Sequence, residues 1–260
     1  MILQGRAISP GKTKGKVLKL DSTFSFLGGV NGSTGDLNVA DGNIAGKVFV
    51  FHSGKGSTVG SFVIYDLMVH GKAPAAIVNS SAETIVTTGA VISSIPMVDR
   101  IDIDLLCDGD DVIVDGNAGT IEIENIKVIK VVSSALVNSD GKVLLLQRPD
   151  TAKSFSGRKS LVAGKVESGE DNESAAAREI MEETQIRVSK HNASLPPIYV
   201  REGSIIWEVF PFLFKINDQE PTLNKENVGY EWALPEDIKK DRSNVPQTFD
   251  VVSRMLKELK

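Results

Sequence analysis

Glu179, Glu182 and Glu183 stand at i, i+3 and i+4, so a helix through them carries three carboxylates on one face. Like charges at that spacing oppose helix formation by roughly 0.2–0.5 kcal/mol per pair. Two readings are open. One is a solvated acidic face; the other is a cluster compensated by a cation, for which all-oxygen donors suit a hard ion such as Mg²⁺ or Mn²⁺. A second constellation, Gly54-Lys55-Gly56-Ser57-Thr58, follows the apolar run KVFVF. Glycines there let backbone N–H groups face an anion, and a helix starting next adds positive potential. Ser57 is then either an ordinary helix cap or a hydroxyl whose deprotonated form is stabilised by those N–H groups and Lys55. The spacing is not that of a Walker A loop.

The acidic cluster needs a helix over Glu173 to Thr184, with Ala175, Ala176 and Ala177 supporting it. The hairpin KVLLLQ with Asn138-Ser139-Asp140-Gly141 before it supplies strands upstream. Ile198 to Arg201, Ile205 to Lys215 and Tyr230 to Ala233 continue as strands, and helices are predicted from Pro235 and over Phe249 to Leu259. Glu208, Glu220 and Glu226 are further ligand or base candidates among which spacing does not choose; each is otherwise a solvated surface acid. Tyr199, Trp207 and Trp232 read as core in preference to substrate-stacking residues.

The Ser57 turn needs a strand before it and a helix after it, predicted at Lys47 to Phe51 and Val59 to His70. Phe62, Val63, Tyr65 and Leu67 are expected on the inner face of that helix. Residues 24–46 read as glycine-rich loop with few buried positions. Strands are expected at Met1 to Ser9, Lys14 to Leu20, Ala73 to Asn79, Val91 to Val98, Ile101 to Leu106, Val112 to Asp115 and Thr120 to Ile123. A short helix, Ser81 to Thr88, capped by Ser80 or Ser81, is expected to end at Gly89. The order implies a mixed α/β protein.

The 260 residues suffice for two ordinary domains, and 41% hydrophobic with 24% charged residues is globular composition. A net charge of −5 argues against general nucleic-acid or anionic-membrane binding. No apolar run reaches a membrane span and no signal-peptide core is present, so a cytoplasmic address is the default expectation. The single cysteine, Cys107, excludes an iron–sulfur cluster ligated by this chain alone.

Gly164, Glu170, Arg178, Glu179, Ile180, Glu182, Glu183 and Ile186 fall on the pattern of the Nudix box, and residues 130–260 resemble a Nudix hydrolase domain, an α/β/α sandwich. The resemblance implies metal ligation by Glu179, Glu183, Glu182 and the Gly164 carbonyl. It assigns Arg178 and Glu170 to a pair behind the ligands, and Glu182 and Glu183 to catalysis of diphosphate hydrolysis with Mg²⁺ or Mn²⁺. Gln185 stands where the family has the glycine that ends the helix. VAGKVESGE is also similar to isopentenyl diphosphate isomerase relatives, whose chemistry relies on a cysteine; none follows Cys107.

FLGGVNGSTGDL, GKVFVFHSGKGSTVGSF, GKAPAAIVNSSAETIVTTGAVISSIPMVD and GDDVIVDGNAGTIEI resemble the swivelling β/β/α domain of the aconitase X family, over residues 1–126. The form is that of the free-standing small subunits of archaeal phosphomevalonate dehydratases. That implies loss of water from 5-phosphomevalonate to give an anhydromevalonate phosphate, in a mevalonate route to isoprenoids. It implies Ser57 as the catalytic base, Gly54, Lys55 and Gly56 as substrate-binding, and a large partner subunit holding the iron–sulfur cluster. The combined expectation is a dehydratase small subunit fused to a metal-dependent diphosphate hydrolase, with small phosphates and diphosphates as ligands. The alternatives are a Nudix half that senses metabolites without turnover, or a swivel half serving another aconitase X type hydro-lyase.

Overall fold

The computed structural model describes residues 1–152 and 155–259. They form two compact units, Met1–Lys127 with Arg201–Ile206, and Val128–Val200 with Trp207–Lys260. Each unit is built on its own sheet with helices packed against it, so the fold is α/β throughout.

In the first unit the strands are β1 (Ile2–Gln4), β2 (Arg6–Ser9), β3 (Lys12–Leu20), β4 (Val48–Phe51), β5 (Ala76–Asn79), β6 (Met97–Asp99), β7 (Asp111–Asp115) and β8 (Thr120–Ile123). They lie in the order β1-β8-β7-β3-β4-β5-β6-β2. β3 to β6 run parallel, while β7, β8 and the two outer strands pair antiparallel. The ends of this path are consecutive in sequence: the single predicted strand Met1 to Ser9 is split at Gly5. No side chain fits at Gly5, because a Cβ would collide with the Asp99 carbonyl.

Three helical segments accompany these strands: a broken turn α1 (Phe26–Gly29), α2 (Val59–Val69) and α3 (Thr84–Ile92). The predicted end of α3 at Gly89 is wrong. Gly89 lies inside the helix because Ile64 of α2 packs where its side chain would be. The helix begins at Glu83, whose carboxylate accepts from the Ile85 N–H at 3.0 Å, rather than at Ser80 or Ser81. The strand expected from Val91 is accordingly confined to Met97–Asp99. Ile101 to Leu106 contains a tight 3-10 turn, Ile103–Leu105, instead of a strand.

Residues 24–46 also differ from expectation. Phe24, Phe26, Val30, Leu37 and Ile44 are all buried. Phe24 and Phe26 point the same way along an extended segment, as do Phe49 and Phe51 of β4, and the four rings cluster together. The Phe24–Phe26 and Phe24–Phe49 centroids are 5.0 Å apart, edge to face, a geometry contributing about 0.5–1.5 kcal/mol per pair beyond area burial.

The second unit contains β9 (Lys127–Val137), β10 (Val143–Gln147), β11 (Lys159–Ser160), β12 (Val162–Lys165), α4 (Asn172–Thr184), β13 (Ala193–Ser194), β14 (Ile198–Glu202), β15 (Ile205–Lys215), β16 (Gly229–Ala233), α5 (Pro235–Lys240) and α6 (Thr248–Glu258). The sheet runs β11-β10-β9-β15-β13, with β12 also on β9, β14 on β15 and β16 on β10. Period-two alternation sorts its side chains onto two faces. Val132, Leu136, Leu144 and Leu146 pack with Ala175, Ala176 and Ile180 of α4. Ala135, Val137, Val143 and Leu145 pack with Ile238, Val252 and Met255 of α5 and α6. The result is an α/β/α sandwich.

Candidate functional site

Helix α4 is fixed at both ends before it presents any chemistry. Asp171 caps it, accepting from the Ser174 N–H at 2.9 Å and the Ser174 hydroxyl at 2.6 Å. At the other end Gln185 takes the left-handed conformation, φ 59°, ψ 12°, so a non-glycine residue performs the stop. Ala175, Ala176 and Ile180 bury one face, and that orientation carries Glu183 inward until it is 6% exposed.

Glu183 Oε2 accepts from Asn227 Nδ2 at 2.9 Å. The loop that brings Asn227 there is tied to the end of α4 by Thr222 N–H to the Thr184 carbonyl, 2.8 Å, and Asn224 N–H to the Glu183 carbonyl, 3.3 Å. Burial pushes the Glu183 carboxyl up to about 7, with Glu179 and Glu226 adding to the effect and Asn227 and Arg148 opposing it. Burial likewise raises Glu179, against the pull of Arg178 and with Glu182 and Glu226 acting upward. Glu226 is therefore the late acid nearest in effect to both. Glu208 and Glu220 instead accept hydrogen bonds from the Tyr199 and Tyr230 hydroxyls, at 3.0 and 2.6 Å.

Arg178 organises the rest. Its Nε and Nη2 donate to both Glu170 oxygens at 3.0 and 3.1 Å, Nη2 also donates to the Lys165 carbonyl at 2.9 Å, and Nη1 donates to Glu179 at 2.8 Å and Glu182 at 3.3 Å. The Glu170 bonds first, then Glu179, raise the Arg178 pKa, and Arg178 holds Glu170 below the usual carboxylate range. Glu182 is the most open of the three, its side chain 56% exposed. Gly164, on β12, lies under Glu179: any Cβ there would collide with the carboxylate.

As they stand, no three acidic, histidine or cysteine side chains among the described residues form a group that could hold an ion. The donor chemistry nevertheless fits a hard cation. Glu179 and Glu183 are shielded carboxylates, and the space over Gly164 is filled by a carboxylate instead of a methyl group. The guanidinium of Arg178 supplies positive charge to Glu179 and Glu182. Sequence reading missed Asn227, for which a lone asparagine in a polar loop offers no signal.

In the first unit the Ser57 turn leaves the carboxyl end of β4, where open α/β sheets gather ligands. It is pinned by the Phe24 N–H to the Ser53 carbonyl and the Lys55 N–H to the Phe24 carbonyl, both 3.0 Å. Gly54 is required because a Cβ would lie 2.5 Å from Val86 Cγ2; Gly56 has φ 106° and would meet Ser25 Oγ at 2.7 Å. Residues 55–59 are exposed. Ser57 Oγ accepts from the Val59 N–H at 3.3 Å, a long bond, and its carbonyl accepts from Gly60 at 2.8 Å. Lys55 forms no ion pair with any described residue. His52 and Ser80 share this edge, their Nδ1 and Oγ 3.5 Å apart. Buried Asn79 donates to the Phe51 carbonyl at 2.8 Å, while its Oδ1 has no hydrogen-bond partner.

The family model of the aconitase X swivel domain matches residues 2–123, and that of the NUDIX domain matches residues 128–254. The chain is 51% identical over 128 residues to the phosphomevalonate dehydratase small subunit of Thermococcus kodakarensis, spanning 47% of this chain and 96% of that protein. The crystal structure of Thermococcus kodakaraensis aconitase X in its holo form is similar at 49% identity and TM-score 0.47, covering 47% of this chain and 98% of that one. For the second unit, the MutT protein of Methanosarcina mazei Go1 is similar at 23% identity and TM-score 0.46, covering 52% of this chain and 97% of that one. The chain belongs, through its first half, to the aconitase X swivel-domain family that includes the phosphomevalonate dehydratase small subunits, and it carries a NUDIX domain in its second half.

Proposed function

We propose that the chain is the small subunit of a phosphomevalonate dehydratase joined to a Nudix diphosphate hydrolase acting in the cytoplasm. Domain limits of 1–126 and 130–260 suit this division of labour. The observation that carries the first half is 51% identity across 96% of a phosphomevalonate dehydratase small subunit, together with an exposed serine at the head of α2.

In this reading Ser57 removes the proton, and Gly54, Lys55 and Gly56 hold the substrate's anionic group. A large partner subunit would supply the iron–sulfur cluster, and with it the Lewis acidity that loss of a hydroxyl needs. Lys55, a compact point charge, suits a phosphate or carboxylate oxygen approaching the turn. The full chain mixed with a cluster-bearing aconitase X type large subunit is expected to dehydrate 5-phosphomevalonate. Each subunit alone is expected to be inactive. Full turnover by the large subunit without this chain would reject the reading.

In the second half Glu179, Glu183 and Glu182, with the Gly164 carbonyl, would hold Mg²⁺ or Mn²⁺. Such an ion would supply charge neutralisation for a diphosphate and acidity to a water. Arg178, clamped by Glu170, fixes the direction of Glu179. Buried Glu183 and the more open Glu182 are the catalytic carboxylates of this reading, with Glu226 the further candidate base. Release of phosphate from a panel of nucleotides and isoprenyl diphosphates, lost in Glu183→Gln, is the expected result. The alternative, a module that senses metabolites without turnover, draws on Arg178 holding both Glu179 and Glu182. It would be supported by ligand-dependent changes in dehydration rate without hydrolysis.

A further inference from the structure

In the second unit, the loop that follows α4 and the outgoing end of β15 enclose a cavity of about 150 Å³. Roughly 10–15 Å³ is enough to admit one water, so this cavity has room for a polyatomic group. Its lining holds three cations, Arg187, Lys190 and Lys215, and no acid among the described residues, in a chain whose net charge is −5. Ser189, Asn217 and Gln219 add exposed polar side chains, with buried Phe214 beneath.

Like charges gathered at one cavity repel one another unless an anion lies among them. The chain does not supply that anion. None of the three cations forms an ion pair with a described residue, and the neighbouring acids are engaged elsewhere. Glu173 accepts from the His191 N–H at 3.0 Å and meets its ring Nδ1 at 2.8 Å, while Asp218 and Glu220 each accept at 2.6 Å from the Ser139 and Tyr230 hydroxyls. Backbone donors are available as well. The N–H groups of Arg187, Val188, Ser189 and Lys190, all lining residues, donate to no described acceptor, and successive unpaired N–H groups suit an anion. The negative end of α4 precedes this loop, but its last carbonyls already accept: Met181 from Gln185, Glu183 from Asn224 and Thr184 from Thr222.

We propose that this cavity is an anion site that takes the phosphate or diphosphate group of a small metabolite without a metal ion. Arg187 offers the planar fork that binds two phosphate oxygens, and Lys190 and Lys215 add point charges. A carboxylate would leave two of the three cations uncompensated, whereas a phosphate monoester brings a charge of about −1.5 to −2 and a diphosphate more. None of these residues belongs to the acidic cluster of α4, so the site does not depend on the hydrolase reading. Gln219 opens the loop that carries Thr222 and Asn224 to the end of α4 and Asn227 to Glu183. A bound anion therefore restrains the approach of that loop to the acidic cluster.

The test titrates the full-length chain, freed of metal with EDTA, with inorganic pyrophosphate and separately with inorganic phosphate by calorimetry. Hydrogen exchange locates the binding. Saturable binding is expected, tighter for pyrophosphate, with protection gained over residues 187–190 and 215–219 of the wild-type chain. Arg187→Gln and Lys215→Gln are each expected to weaken it on the order of tenfold, and Lys215→Arg to keep it. Lys257→Gln, which removes a charge from the last turn of α6, is expected to leave it unchanged. Binding that persists at full strength in the Arg187→Gln, Lys215→Gln double variant, with no protection in these segments, places the anion elsewhere and overturns the proposal. An unsaturable response abolished by about 0.15 M salt reduces the three cations to a solvated basic surface and overturns it too.

Discussion

The carboxylate of Glu179 fills the space that a side chain at position 164 would need. β12 and α4 can approach this closely only because residue 164 is glycine, so the backbone of one element and the acid of the other meet at one place. Gly164→Ala is expected to push Glu179 aside at a cost of roughly 1–3 kcal/mol in stability. Metal-dependent hydrolysis is expected to fall at least tenfold while the fold persists. Activity assays alongside melting curves check this; unchanged turnover would show that Glu179 need not sit there.

Arg178 bonds Glu170 through two parallel contacts that a lysine cannot reproduce. Arg178→Lys is expected to weaken Mn²⁺ binding by about 10- to 100-fold, the usual effect of losing a group that orients ligands. Calorimetric titration of the full chain with Mn²⁺ gives the affinity directly.

Gln185 pays a left-handed backbone penalty at φ 59°. Gln185→Gly removes that strain and gives back part of the gain through greater freedom of the unfolded chain. A net stabilisation of roughly 0.5 kcal/mol is expected in denaturant titration, with hydrolysis unaffected.

Hydrogen bonds from Ser243, then the ammonium of Lys159, hold the Asp241 carboxyl down at about 2, below its ordinary 3.8. A depressed carboxylate contributes stability above its unfolded value and loses it as pH falls through the folded one. The contribution of Asp241 is therefore complete above about pH 4 and disappears toward pH 2. Asp241→Asn is expected to lower stability at pH 6 and to lose less than wild type between pH 4 and 2, measured by urea unfolding at each pH.

Legibility of the chain followed periodicity. Thr120–Ile123 alternates between buried and open positions, while the hairpin strand Val143–Gln147 is a short continuous apolar run after a tight turn, and both patterns are readable as strands. Residues 24–46 have no period, so the burial of Phe24, Phe26 and Ile44 had no signature. Gly89 resembled a helix stop but serves close packing against Ile64, which no local pattern reveals. Phe62 and Tyr65 looked like core because apolar residues usually are; a helix with two apolar faces defeats that inference. At the acidic site, spacing placed Glu179, Glu182 and Glu183 together. Only the folded loop after β15 distinguishes Glu226 from Glu208 and Glu220 and brings in Asn227.

In the proposed function one chain carries two separate chemistries, one at Ser57 and one at Glu183. The most direct measurement follows dehydration of 5-phosphomevalonate and diphosphate hydrolysis in the same reconstituted complex, for wild type, Ser57→Ala and Glu183→Gln. Ser57→Ala is expected to abolish dehydration and keep hydrolysis, and Glu183→Gln to do the reverse. Either variant retaining both activities at wild-type rates would contradict it.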